Sequence, residues 1–256
     1  VKERTKELEE SERMHREAFQ HVNFYKNLIT HDISNILQNI RSAVQLNSIY
    51  LKEPSDLEKV KKINDLLGEQ VTRAAKLIKN ARSLSKLEQD PFEMEKMKLC
   101  ERIEETVEYI QNSFQSRETH IDVECKHDNL YVRANELIND LFENLIINAI
   151  RHNDSKRIEI FIKVRLKKHQ NKKDVLVEII DNGIGISDEK KDKIFKKPIK
   201  EQLTERGMGL GLSLVKKIVE NYGGDIWVEN RIEEDHTKGS KFIVSFPDAE
   251  IETEAN

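Results

Sequence analysis

The chain has 256 residues, 37% hydrophobic and 35% charged, which is length enough for two domains with buried cores under a charge-rich surface. A formal net charge of -4 argues against non-specific nucleic-acid binding, and no apolar run approaches the length of a membrane span. Cys100 and Cys125 have neither disulfide nor metal spacing, and the histidines are scattered, so a reducing, cytoplasmic setting is expected.

The chain opens in the polar helical pattern V-K-E-R-T-K-E-L-E-E, with neither a cap nor a signal peptide, as the soluble C-terminal portion of something longer would. Val1, Leu8, His15, Val22, Ile29, Ile36, Ala43 and Tyr50 fall at intervals of seven, and Ile33 and Ile40 add a second column. A sustained heptad column predicts a long bundle helix. It should stop near Glu53, because Pro54 disfavours helical geometry in the residue before it, and Ser55 or Asp56 can cap a second helix. In that helix Val60, Leu67, Ala74 and Ala81 form one column, and Asn64, Val71 and Ile78 the next. Two such helices joined by a short turn predict an antiparallel hairpin; since a lone hairpin buries little, a homodimeric four-helix bundle follows. His31 lies about 200° round the first helix from the seam residue Ile29 and faces outward, with Asp32 beside it and Asn35 one turn on. A carboxylate can hold one ring nitrogen protonated and leave the other as a nucleophile, although most such pairs are solvated surface.

Asp90-Pro91 reads as a linker, after which helix and strand patterns mix. Residues 99–114 form an amphipathic helix, and residues 121–125 and 130–132 short strands. In the stretch D-L-F-E-N-L-I-I-N-A-I-R-H, residues 140–152, Leu141, Leu145, Ile146, Ala149 and Ile150 recur at helical spacing and face a core. Asn144 and Asn148 lie four apart and project from one face, next to Glu143. Asparagine is a poor helix former, so two in mid-helix point to a site unless both are simply solvated. Residues 158–166 and 175–180 are strand-like around a polar hairpin, 210–222 is a helix ending at Gly223-Gly224, and 225–229 and 241–246 close the fold as strands. Helices and antiparallel strands segregated in this way predict an α+β two-layer sandwich.

Three glycine segments complete the pattern. D-N-G-I-G, residues 181–185, follows a strand, where a carboxylate can accept from an exocyclic amine and glycines let the backbone turn closely against a planar ring. An ordinary Asp-Asn-Gly turn has the same letters. G-M-G-L-G, residues 207–211, precedes a helix and exposes backbone N–H groups to phosphates. It is neither a P-loop, since no Lys-Ser/Thr pair follows, nor a dinucleotide fingerprint, since Leu212 takes the last glycine position. G-S-K-F, residues 239–242, enters the last strand.

In order, N-L-I-I-N-A-I-R-H, D-N-G-I-G, I-F-K-K-P, G-M-G-L-G-L and G-S-K-F resemble the N, G1, F, G2 and G3 boxes of sensor histidine kinases. H-D-I-S-N, residues 31–35, is similar to their phosphoacceptor box, and the resemblance covers residues 21–246. It implies an ATP-binding α/β two-layer sandwich of Bergerat (GHKL) type over 90–248, behind a dimerisation and phosphotransfer hairpin over 21–89. Residues 1–20 would be a signal-transmitting coiled-coil helix continuous with the hairpin, and 249–256 an acidic tail. The resemblance also implies ATP and Mg²⁺ as cofactors. Asn148 would give its side-chain oxygen to Mg²⁺ with Asn144 nearby, Arg151 would approach phosphate oxygens, and His152 would stand against the adenine. Asp181 would read the adenine amine, Gly183 and Gly185 would shape the pocket wall beside Ile186, and Ser240 would add to the site. Gly207, Met208, Gly209, Leu210 and Gly211 would line the phosphates at the base of a lid over 187–208 anchored by Phe195.

His31 would attack the γ-phosphate with Asp32 as general base, and Asn35 would position water for dephosphorylation of the regulator. The phosphoryl group would pass to an Asp of a response-regulator receiver domain, under the control of an upstream sensor domain. One departure is Ile36, where many members carry Pro, so the usual kink in the first helix is not expected. Gyrase-like and heat-shock ATPases use a Glu four residues before the metal-binding Asn. That position is Asn144 here, and Glu143 is about 100° off the face, so water activation is expected to be poor. A GHKL-type ATPase and a non-catalytic nucleotide-binding dimeric scaffold are the alternatives.

Overall fold

The structure, a computed structural model, describes residues 33–51, 56–88, 93–113, 118–126, 129–169, 172–195 and 210–249. Its contacts divide the chain into two compact units, Val1–Lys79 and Asn80–Asn256.

In the first unit lie α1 (Ser34–Tyr50) and most of α2 (Leu57–Glu88). Ile36 and Ala43 of the first heptad column are buried, as is Val60 of the second helix. The Asn39 amide donates to Gln70 at 3.3 Å and the Asn47 amide to Asn64 at 2.8 Å. A rising residue number on α1 thus meets a falling one on α2, which makes the pair antiparallel. α1 runs through Ile36 without interruption. His31, Asp32 and the turn at Pro54 lie outside the described residues. The expected column of Asn64, Val71 and Ile78, extended back to Leu57, is not buried within the hairpin. Leu57, Val71 and Ile78, like a further column Leu37-Val44-Leu51 on α1 and its C-cap, stay between 49% and 72% exposed in the single chain.

The second unit is a five-stranded sheet, whose strands lie in the order 119–125, 158–169, 172–181, 235–247 and 225–232, with a separate two-stranded ribbon of 95–98 and 131–134. In chain order the elements are β1 (Glu95–Lys98), α3 (Leu99–Ser113), β2 (Thr119–Cys125), β3 (Tyr131–Ala134), α4 (Leu137–Arg151), β4 (Ile158–His169) and β5 (Lys172–Asp181). They are followed by α5 (Asp188–Lys191), α6 (Leu210–Asn221), β6 (Asp225–Ile232) and β7 (Asp235–Pro247). The period-2 pattern decides which face is core: Ile158, Ile160, Ile162 and Val164 of β4 and Val175, Val177 and Ile179 of β5 are buried, while Lys163 and Arg165 between them are exposed. Helices α3, α4 and α6 close over that face with Leu99, Ile103 and Ile110, then Leu141, Phe142, Leu145 and Ile146, then Leu214, Val215 and Ile218. Each large apolar side chain so buried contributes about 1.5–3 kcal/mol.

This is the expected α/β two-layer sandwich, with one difference from the expected pairing. β2 pairs with β4 in parallel, whereas every other pairing of the sheet is antiparallel. Parallel neighbours need a long crossover, and here it contains α4, so the helix bearing both asparagines is carried across the sheet. Alternating hydrophobicity reports which face is buried and is silent on strand direction. The short strand β1 also escapes the pattern, because three of its four residues are charged and exposed and only Met97 is half-buried.

Cys100, in the first turn of α3, and Cys125, the last residue of β2, form a disulfide. This corrects the expectation that the two thiols are unpaired. The residues are 25 apart in sequence, and only the packing of α3 against β2 brings their Cα atoms to 6.3 Å, within bridging range.

Candidate functional site

The site is built where the C-terminal half of α4 meets the end of β5. Asn135 starts α4: its Oδ1 accepts from the Leu137 N–H at 3.0 Å and from the Tyr222 hydroxyl at 2.6 Å, so the end of α6 is tied to the start of α4. Burial raises the Tyr222 pKa, which keeps this hydroxyl a donor. At the other end the His152 N–H donates to the Asn148 carbonyl at 3.0 Å and closes the helix.

Asn144 is only 3% exposed, which overturns the reading of both amides as solvated. Its Nδ2 donates to the Asp140 carbonyl at 2.8 Å, and its Oδ1 is buried with no hydrogen-bond partner among the described residues. A buried amide oxygen without a donor is costly unless something outside the chain completes it. Gly211, in the first turn of α6, is the reason a helix can pass there, since a Cβ at that position would lie 2.9 Å from the same oxygen. Asn148, one turn on, is half-buried, as are Arg151 and His152.

Asp181, the last residue of β5, is 3% exposed. One carboxylate oxygen accepts from the Gly183 N–H at 2.8 Å and the Ser240 N–H at 3.3 Å, and the other from the Ser240 hydroxyl at 2.6 Å. Burial pushes the carboxyl above its ordinary value, and the Ser240 and Gly183 bonds pull it back part of the way. A carboxylate held so firmly at a strand end presents its remaining acceptor capacity to a ligand donor. The glycines that follow are sterically required. A Cβ on Gly183 would lie 2.4 Å from the His152 carbonyl oxygen, and one on Gly239 would lie 2.0 Å from that of Asp181. Ile184 donates its N–H to the His152 carbonyl at 3.0 Å, and Ile186 is half-buried beside this turn. Phe195 packs edge-on against Phe242 of β7, ring centroids 6.2 Å apart.

Sequence reasoning therefore placed Asn144, Asn148, Arg151, His152, Asp181, Gly183, Gly185, Ile186, Gly211 and Ser240 on elements that converge on one end of the sheet. Asn35 is exposed on α1, in the other unit. Gly207, Met208 and Gly209 lie outside the described residues, as does the side chain of Leu210. What it missed is a knot of amides behind the site. The Asn153 side chain donates to Asn182 Oδ1 at 2.6 Å, and Asn182 in turn bonds Glu159 and Arg157 of the β4 entry. The only signal was the Asn of D-N-G, which read as a turn residue.

The donor chemistry fits a nucleotide with a hard cation. The unpartnered Asn144 oxygen and the Asn148 amide one turn on offer oxygen ligands, and no group of three or more His, Cys, Asp or Glu residues among those described could hold a metal by itself. That suits Mg²⁺, which binds through one or two protein oxygens together with substrate phosphates and water.

Residues 133–250 match the family described as Histidine kinase-, DNA gyrase B-, and HSP90-like ATPase. Over 233 residues the chain is 28% identical to the Autoinducer 2 sensor kinase/phosphatase LuxQ of Vibrio vulnificus, covering 86% of this chain and 26% of that protein. It spans 26% to 32% of the length of several curated relatives it matches, and 57% of the adaptive-response sensory kinase SasA of Synechocystis sp.. The catalytic domain of histidine kinase ThkA is 30% identical with a TM-score of 0.51, and the match covers 61% of this chain and 99% of that one. Histidine kinase ThkA in complex with response regulator protein TrrA shares the fold over 95% of this chain and 67% of that one, at 23% identity and a TM-score of 0.69. With its glycine-walled carboxylate, its paired helical amides and these relatives, the chain belongs to the sensor histidine kinases.

Proposed function

We propose that this chain uses ATP to phosphorylate itself on His31 and passes the phosphoryl group to an Asp of a response-regulator receiver domain. The observation that carries the reading is Asp181, a buried carboxylate fixed by Ser240 and Gly183 within the ATPase match, where an adenine amine would be read. Asn148 holds Mg²⁺ in this reading, and the bound ion neutralises phosphate charge. Arg151 takes the phosphate oxygens, and His152 covers the base. Asp32 holds a proton on one ring nitrogen of His31 and leaves the other nitrogen to attack the γ-phosphate in line. The N–P bond forms as the bond to departing ADP breaks, and Asp32 takes up the ring proton as general base. The partner is supported by the ThkA structure, which is a complex with a response regulator. Asn35, exposed on α1, positions water in a phosphatase reaction toward the regulator, an activity the name of LuxQ carries. An upstream sensor domain supplies the signal. The reaction draws on cytoplasmic ATP, so the cytoplasm is the expected location.

Two features favour a kinase over a continuously turning ATPase or a silent scaffold. Asn144 stands where the ATPases carry their basic Glu, and an amide has no basicity to activate water. A scaffold that binds no nucleotide has no need of the close glycine wall around Asp181. The test is incubation with γ-labelled ATP and Mg²⁺, comparing wild type with His31→Gln and Asn148→Ala. Acid-labile, alkali-stable label near one per site is expected on wild type alone. Label on His31→Gln would move the acceptor elsewhere, and continuous phosphate release would indicate an ATPase.

The exposed columns at Leu37, Val44 and Leu51 and at Leu57, Val71 and Ile78 support a homodimer, because a second hairpin would cover both stripes. The double variant Val44→Glu/Val71→Glu is expected to sediment as a monomer at micromolar concentration where wild type sediments as a dimer. A monomeric wild type would refute the bundle.

A further inference from the structure

Beyond the residues that would touch nucleotide, the structure contains a polar knot in a place where an apolar contact would be cheaper to bury. Asn153 is 0% exposed. Its Nδ2 donates to Asn182 Oδ1 at 2.6 Å, and its own Oδ1 accepts the Ser155 N–H at 3.0 Å. Asn182 Oδ1 also accepts the Glu159 N–H at 2.9 Å, its Nδ2 donates to the Arg157 carbonyl at 3.0 Å, and its own carbonyl accepts from the Ser155 hydroxyl at 3.1 Å. Every polar group of the Asn182 side chain is thereby engaged. Such a fully satisfied amide pair specifies one geometry, where two apolar residues would allow several.

What the knot holds is the loop leaving α4. That loop starts at His152, whose carbonyl accepts the Ile184 N–H at 3.0 Å and sits where a Cβ on Gly183 would be only 2.4 Å away. Asp181 lies one residue before Asn182 and points its carboxylate the other way, into the bonds with Gly183 and Ser240. The loop and the Asp181–Gly183 turn therefore meet with no slack, and the knot pins them from behind. We propose that Asn153 and Asn182 are positioning residues that set the separation between the His152 loop and the Asp181 turn, and so fix the depth of the base pocket. The proposal rests on the nucleotide reading above. A misplacement on the order of 1 Å at a recognition carboxylate is enough to lose most of its selectivity.

The test measures binding of two probes to the full chain by calorimetry with Mg²⁺: ATP, and inorganic triphosphate, which has no base. In Asn153→Ala the ATP dissociation constant is expected to rise about tenfold, with that of triphosphate unchanged within twofold. Ser155→Ala, which removes one bond to Asn182, is expected to raise the ATP constant about threefold and to leave triphosphate alone. It decides the matter by itself should Asn153→Ala fail to fold. Equal weakening of both probes would show the knot to be merely structural and overturn the proposal. Unchanged ATP binding would overturn it while leaving the nucleotide reading intact. A wild type that binds neither probe would remove both.

Discussion

Asp181→Asn is expected to leave the fold within about 1 kcal/mol of wild type and to weaken ATP binding by roughly thirty- to a thousandfold, the equivalent of about 2–4 kcal/mol. The substitution keeps shape and volume. Its amide oxygen can accept from Gly183, and the Ser240 hydroxyl can rotate to accept from the new NH₂. What it cannot do is accept a hydrogen bond from an adenine amine at that second position, where two donors would now face each other. The lost bond is charge-assisted and buried, which puts it at the strong end of the range. Acid titration of the wild-type complex checks the same group in another way. Burial holds the carboxyl pKa above its ordinary value, so the ionised acceptor is lost at a higher pH than a surface Asp would show. ATP affinity is therefore expected to fall as the pH drops, with a midpoint above that of an ordinary aspartate, and Asp181→Asn is expected to show no such transition. Equal affinity of the two proteins at neutral pH would remove Asp181 from the site.

Much of this site could be read from the chain because its constraints are local. A carboxylate at a strand end, glycines where a Cβ has no room, and amides one helical turn apart are all statements about neighbours in sequence. The heptad columns located Ile36, Ala43 and Val60 in the hairpin for the same reason. The errors are all non-local. The parallel pairing of β2 with β4 depends on a crossover, to which the alternation in either strand is blind. The Cys100–Cys125 pairing depends on α3 lying against β2. Asn182 looked like a turn residue because its partners, Asn153, Arg157 and Glu159, reach it only after α4 has crossed the sheet. The unpartnered oxygen of Asn144 was likewise invisible, since its burial depends on Gly211 of a distant helix.

Gly185→Ala is expected to be the most damaging of the single-methyl changes, and the reason is geometric. Gly185 has φ +67, in the left-handed region, where a Cβ costs about 1–2 kcal/mol. The added atom would also lie 1.6 Å from the His236 carbonyl oxygen, a backbone atom that no rotamer change can move aside. Either the turn after Asp181 or the entry of β7 must shift. That entry contains Gly239 and Ser240, so the displacement reaches the hydroxyl that holds Asp181. The expected result is a loss of at least ~2 kcal/mol in urea unfolding, followed through the fluorescence of the single Trp227 in β6, and more than a tenfold loss of ATP affinity where the protein is still folded. Gly68→Ala provides the opposite sign. Gly68 sits in the interior of α2 with nothing within 4 Å of a new Cβ, so alanine should stabilise the helix by about 0.5–1 kcal/mol. Helical circular dichroism reads that gain. A Gly185→Ala protein as stable as wild type would mean that the turn after Asp181 yields freely, and a wall that yields could not hold a base against that carboxylate.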